Sequence, residues 1–356
     1  MPLSLLSAQK LQSVKRAFTT RRVPMNAMAT LLKGNYKPQA GDLVLARVTS
    51  IQQHKTLHLT KERKSSLFLG DEIIVCYGDR YAPDQFEAEI PKDLSPCHLA
   101  AAGGIASVVL SKNDRLKPPT CITPLGLVGD TQGHPLNIYD FALPLSVATI
   151  RTTPTIIAVV GSAMNSGKTT VAAHLIKGLV NAGKTVNAGK ITGTGAGGDV
   201  WLMEDAGATR VLDFTDAGYP STYRLQPQQI ETIFDRLITH LSSDRPDYIV
   251  LEVADGLYQT ETSQLLQSKY FQDAIDGLIF AARGAVDALG GLTWLRQQNL
   301  YPLAISGLLT SSPLAIQEAK VATGVPILTL SQLSQESAIA PMNVASFTLS
   351  TNPIAS

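Results

Sequence analysis

Thr155-Ile-Ile-Ala-Val-Val-Gly-Ser-Ala-Met-Asn-Ser-Gly-Lys-Thr-Thr170 starts as an apolar, β-branched run, breaks at glycine and leads into a segment patterned as a helix. A strand that ends in such a loop and passes straight into a helix aims several backbone N–H groups, and the positive end of the helix dipole, at one spot. An anion such as phosphate fits there. Gly167 lets the backbone approach the ligand, Lys168 can reach β- and γ-phosphate oxygens, and the Thr169 hydroxyl is placed for Mg²⁺. Gly161, Asn165, Ser166 and Thr170 complete the expected loop. The spacing departs from the strict phosphate-loop pattern by one residue: Ser162 to Ser166 separate the two glycines, and Ser162 stands at the usual first-glycine position.

Around this loop, apolar strands alternate with helices, the pattern of a parallel sheet flanked by helices. Strands are expected at 155–160, 185–191, 210–214, 248–253, 277–281, 303–308 and 327–330, and helices at 168–182, 227–241, 286–298 and 313–323. In such a sheet ligands bind outside the carboxyl ends of the strands. Lys190 ends the second strand beside a glycine-rich turn and so faces that crevice. Glu252 ends the fourth and is suited to hold a metal or its water. Asp199 and Asp205 both lie within reach as further metal ligands, and the spacing leaves open which of them serves. The polar stretch from Asp213 to Arg224 reads as a substrate loop, a switch or a plain connection. Arg283 can touch phosphate, Asp287 can cap the helix after it, and His174 reads as an ordinary helix residue.

Gly161-Ser-Ala-Met-Asn-Ser-Gly-Lys-Thr169 has the spacing of the dethiobiotin synthetase phosphate loop. Ala188-Gly-Lys190 resembles that family's strand-end lysine, and Leu251-Glu-Val-Ala-Asp-Gly256 its acidic strand end. The wider group, the SIMIBI class of P-loop proteins, includes cobyrinic-acid amidating enzymes, metallochaperone GTPases and ParA-like ATPases. The resemblance covers roughly 155–330. It implies Lys168 on the phosphates, Thr169, Glu252 and one of Asp199 or Asp205 around Mg²⁺, Lys190 on an acceptor, Thr310 near the base, and pairing into a homodimer. Two departures stand out. Ala163 replaces the family's acidic loop residue, and Ser306-Gly-Leu-Leu-Thr-Ser-Ser-Pro313 lacks its base-recognising Asn, which leaves ATP or GTP open as cofactor.

The first 150 residues read differently. Short β-rich runs at 43–51, 55–60, 65–77 and 85–90, punctuated by turn residues, predict a small β-barrel-like (α+β) domain, OB-like over 41–91. Lys55, Lys61, Arg63 and Lys64 cluster near one hairpin, and Phe68, Tyr77, Tyr81 and Phe86 are the aromatics that a single-strand platform would need. Leu99–Leu110 reads as a glycine-interrupted helix or as a turn before a strand. Pro118, Pro119 and Pro124 point to irregular connections, 3–22 to a basic surface helix, and Pro144 and Pro154 bracket a linker at 141–154. The domains are thus 1–150 and 151–356, and the fold class is α/β.

With 356 residues, 44% hydrophobic and 17% charged, the chain has ample material for two buried cores. The net charge is +1, from 17 Lys+Arg against 12 Asp+Glu over 1–150 and 13 against 17 over 151–356. Nothing global announces nucleic acid. Cys76, Cys97 and Cys121 lack the spacing of a disulfide framework or zinc cage, and adjacent Cys97 and His98 point apart in an extended segment. No run is apolar for the roughly 18 residues of a membrane span, so a cytoplasmic protein is expected. Three functions fit: a Mg²⁺-ATP-dependent enzyme (ligase or kinase) activating a small, carboxylate-bearing substrate; a nucleotide-dependent switch or adaptor acting on a protein or RNA partner; and a polynucleotide kinase.

Overall fold

The structure, a computed structural model, describes residues 3–61, 63–145 and 154–336. Most of the linker placed at 141–154 lies outside the described residues. The chain forms two compact units: Met1–Val147 with Ile191–Trp201 and Leu212–Leu237, and Ala148–Lys190 with Leu202–Val211 and Ile238–Ser356.

In the first unit the chain runs through β1 (Leu3–Leu5), α1 (Ala8–Ser13), β2 (Lys15–Arg16), β3 (Thr30–Leu32), β4 (Leu43–Ser50), β5 (Thr56–His58) and β6 (Lys64–Ser66). It continues through β7 (Glu72–Tyr77), β8 (Phe86–Glu89), β9 (Cys97–Ala101), β10 (Ile105–Lys112) and β11 (Thr120–Gly129). Pairing closes a ring in the order β4-β7-β10-β9-β11 and back to β4, with β7 and β10 parallel and the other neighbours antiparallel. The segment 41–91 thus supplies two strands of the ring, and 97–129 completes it.

Alternation explains the long apolar runs. Val44, Ala46 and Val48 of β4 share a core with Ile73, Val75 and Tyr77 of β7, while Leu43, Leu45, Ile74 and Cys76 face a second core built with α1, β3 and β11. A strand buried on both faces has no polar side to show.

Two sequence readings need correction here, and a third is decided between its alternatives. The N-terminal segment is helical only over Ala8–Ser13 and then pairs as β2 with β7. Leu99–Leu110 is strand, turn and strand, which selects the second of its two readings. The stretch carrying Pro124 is not an irregular connection but the ten-residue β11, whose register shifts between Pro124 and Gly126. A bulge is where a sheet tolerates a residue without an N–H.

The remaining elements are β12 (Thr155–Gly161), α2 (Lys168–Asn181), β13 (Val186–Lys190), α3 (Gly197–Asp205), β14 (Arg210–Asp213), α4 (Pro227–Ser242) and β15 (Tyr248–Glu252). Then follow α5 (Thr260–Gln267), α6 (Lys269–Ala274), β16 (Gly277–Ala281), α7 (Ala285–Gln297), β17 (Ala304–Ser306), α8 (Pro313–Thr323) and α9 (Leu330–Leu333). The sheet order is β14-β13-β15-β12-β16-β17, and the registered pairs are parallel. Helices flank it, as the alternating pattern requires. Val171, Leu175 and Leu179 of α2, at helical spacing, pack with Ile157 and Val159 of β12 and Ala188 of β13. The strand expected at 327–330 is a single bridge, Ile305 to Ile327, after which α9 starts with a Thr329–Gln332 capping box.

Candidate nucleotide site

The loop after β12 is shaped by what it excludes. At Gly161 a Cβ would come within 2.7 Å of Lys168 Cγ and overlap the Ser166 hydroxyl. Gly167 has φ +96°, which favours glycine, and turns the chain into α2. Two further loops press on this one. A Cβ at Gly256 would lie 2.7 Å from Ala163 Cα, and one at Gly307 would lie 2.5 Å from the Ser166 carbonyl oxygen. The Leu308 N–H donates to that carbonyl at 3.1 Å, and the Ser162 hydroxyl donates to Asp287 at 2.6 Å. Asp287 also accepts the Arg283 N–H at 2.8 Å, so the residue read as a helix cap ties the phosphate loop to α7 as well.

Lys168 opens α2 and is 6% exposed. Its ammonium donates to the Ala163 carbonyl at 2.9 Å and to the Asp255 carbonyl, folded back over the loop it is expected to serve. The Ser166 hydroxyl is fully buried and, among the described residues, has no hydrogen-bond partner. A buried polar group left so is costly, and a ligand oxygen would satisfy it. The Thr169 hydroxyl donates to Glu252 at 3.1 Å, and Lys190, 9% exposed, pairs with the same carboxylate at 3.5 Å. Parallel register sets this triad, because Lys190 and Glu252 are Cα partners at the ends of β13 and β15. Hydroxyl and carboxylate oxygens are the hard donors that Mg²⁺ prefers, so the pair Thr169 and Glu252 fits that ion.

Thr310 lies with Gly167, Thr170, Gly307 and Leu308 around a cavity of about 250 Å³, where a base attached to a phosphate on this loop can be housed. Asn165 holds φ +59° in the loop. The two aspartates lie on α3. Asp205 lines a separate cavity with His174 and Lys177 on α2. Asp199 is in the first turn of α3, and its charge acts on His58. Among the described residues no three His, Cys, Asp or Glu side chains form a metal-holding group. α3 carries both candidate aspartates, Asp199 in its first turn and Asp205 as its last residue, a separation along the helix that motif spacing does not reveal.

The four barrel aromatics do not share one exposed face. Tyr77 and Phe86 are fully buried, Tyr81 stacks on Tyr223, and of the four only Phe68 is strongly exposed, at 66%. Cys97 is buried in the barrel with its thiol pushed up to about 12 by burial, while His98 accepts the Val109 N–H, so they form no nucleophile pair. The three cysteines are free thiols. Sequence reasoning missed Ser162, whose hydroxyl anchors the loop on Asp287, and the pairing of Lys190 with Glu252. Strand register could have found the second.

No protein-family model and no curated protein matches the chain. Among solved structures it is similar to the signal recognition particle 54 kDa protein of Aeropyrum pernix in complex with GDP, at 18% identity and TM-score 0.37, over 56% of this chain and 48% of that one. It is also similar to the signal recognition particle receptor FtsY of Elizabethkingia anophelis, at 19% and 0.35 over 53% and 62%. The cell division protein FtsY of Thermotoga maritima gives 19% and 0.32 over 53% and 66%. The chain thus spans about half to two thirds of these structures. No described helix is long and apolar enough to cross a membrane.

Proposed function

We propose that the chain is a Mg²⁺-dependent nucleoside triphosphatase whose nucleotide state is reported through the segments that follow β13 and β14. The observation that carries this reading is the meeting of Lys168 and Thr169, which follow a loop with no room for a Cβ at Gly161, with Glu252 and Lys190 at two strand ends. In support of the reporting role, Ile191–Trp201 and Leu212–Leu237 belong to the first unit.

Phosphoryl transfer needs positioning and charge neutralisation more than covalent help. Lys168, released from its loop carbonyls, supplies a cation to the terminal phosphates. Thr169 and Glu252 would hold Mg²⁺, which spreads the charge of the phosphate oxygens when bound. Lys190 stands beside Glu252 and adds a second cation where negative charge builds up.

A second reading is favoured by Lys190 itself. A buried lysine at a strand end can orient an anionic acceptor, giving transfer to a small carboxylate in place of water.

The experiment is phosphate release from ATP and from GTP with Mg²⁺, on wild type, Lys168→Ala and Lys190→Ala. Triphosphatase activity predicts turnover with water alone, abolished by Lys168→Ala. The transfer reading predicts turnover only with an added carboxylate, lost in Lys190→Ala with nucleotide binding retained. Absence of nucleotide binding by wild type overturns both.

A further inference from the structure

The first unit contains a cavity of about 740 Å³ walled by stretches 36–42, 127–140 and 218–229. Its size is that of a pocket for a small organic ligand. The wall is built by close approach. Gly41 and Gly218 hold φ +89° and +92°; a Cβ on Gly41 would run into Asn137, and one on Gly218 would lie 2.8 Å from Tyr139 Cα. The cavity is therefore set in shape before any ligand arrives, which spares a ligand the cost of ordering it.

Its chemistry is specific. Asp42, 8% exposed, accepts from Asn137 Nδ2 at 2.9 Å on one carboxylate oxygen and from the Gln39 N–H at 2.8 Å on the other. An ionised carboxylate has about four lone-pair sites, so these bonds leave acceptor capacity on both oxygens. Burial pushes the Asp42 carboxyl above its ordinary range, a penalty that a bound cation would relieve. Asp140 also lines the cavity, against a single exposed lysine, Lys37. The aromatic lining is Tyr36 with Tyr139 and Tyr219, the last two edge to face at 5.8 Å. The Arg236 guanidinium already lies 5.9 Å over the Tyr139 ring, so the ligand charge is selected chiefly by the two carboxylates, which only accept, while the tyrosines offer apolar ring surface.

We propose that this cavity binds a small molecule with a protonated amine and a ring-sized apolar body, the amine on Asp42 and Asp140 and the body against the tyrosines. Binding at this cavity is tested without nucleotide.

Titration calorimetry on the full chain would compare tyramine with its carboxylate counterpart, 3-(4-hydroxyphenyl)propionate, and with neutral 4-ethylphenol. Tyramine is expected to bind at least about tenfold more tightly than either. Ala40→Trp, which fills the cavity from an exposed position, and Asp140→Asn, also exposed, should weaken tyramine by about fivefold or more with the melting temperature kept. Asp42→Asn should do the same, but its tie to Asn137 makes the two exposed variants the decisive ones. No binding of tyramine at about 10 mM, equal binding of all three probes, preference for the propionate, or binding indifferent to Ala40→Trp would each overturn the proposal.

Discussion

Adding a single methyl group to Gly161 has no place to go, because Ser166 and the Lys168 stem already occupy the volume. Gly161→Ala should therefore displace both side chains from the loop. Overpacking of this kind costs about 1–3 kcal/mol in stability, yet the larger effect is expected on ligand: at least about a tenfold loss of nucleotide affinity, read by titration with a fluorescent nucleotide, because donor geometry is what the loop supplies. His54 makes a second prediction at this scale. Its Nδ1 lies 3.0 Å from the Leu99 carbonyl, and burial, then the Arg80 charge, lower its pKa from 6.5 to about 4. A base depressed in the folded state binds fewer protons there than in the unfolded chain. Its contribution is thus intact above about pH 6.5 and lost as pH falls toward 4, by up to roughly 3 kcal/mol. Urea midpoints should fall across that window more steeply for wild type than for His54→Gln; parallel profiles would show that His54 is not the sensor.

Which elements were legible follows from how locally each is specified. The parallel strands and α2, α4, α7 and α8 announce themselves by apolar runs and helical spacing, and the phosphate loop by residue types that chemistry demands. β11 was hidden by Pro124, whose accommodation depends on a bulge formed with a strand whose register partner, Ala46, lies 78 residues earlier. α3 was hidden by Gly197-Gly198, poor helix formers that start it all the same. The Lys190–Glu252 pair exists only once two strands lie in register. The same holds for Arg21, read at first only as part of a basic segment. It bonds Asp213 at 3.0 Å, Asp216 at 2.5 Å and the Thr215 hydroxyl, so the turn after β14 is fastened to the 3₁₀ turn at Phe18–Thr20. Asp213 and Asp216 are nearly fully buried. Arg21→Met should cost about 3–5 kcal/mol, since Asp213 loses its ion pair and Asp216 keeps only the longer one with Arg22 at 3.7 Å. Combining it with Asp213→Asn and Asp216→Asn should recover most of that loss in urea unfolding; an additive, worse triple variant would show that the clamp is not electrostatic.

At the scale of the whole molecule, the units do not coincide with halves of the sequence. Ile191–Trp201 leaves β13 directly after Lys190, and Leu212–Leu237 leads from the end of β14 toward β15, which carries Glu252, yet both segments belong to the first unit. In the first unit, Gly197 donates its N–H to His58 Nδ1 at 3.1 Å and Trp201 packs on Phe18 and His58, while Asp213 and Asp216 are held by Arg21. Covalent continuity therefore runs from the strand ends of the nucleotide site into segments that the first unit fixes. A ligand that binds only the folded state adds about 2.7 kcal/mol at 100 times its dissociation constant, and hydrogen exchange shows where that stabilisation is spread. If nucleotide state is reported outward, Mg²⁺ with a non-hydrolysable triphosphate should slow exchange at 160–170 and also at 191–201 and 212–237. The diphosphate should protect 160–170 alone, and Lys168→Ala should lose both effects. Protection confined to 160–170 with the triphosphate as well would remove the reporting role and leave Lys190 as the cation of an acceptor site.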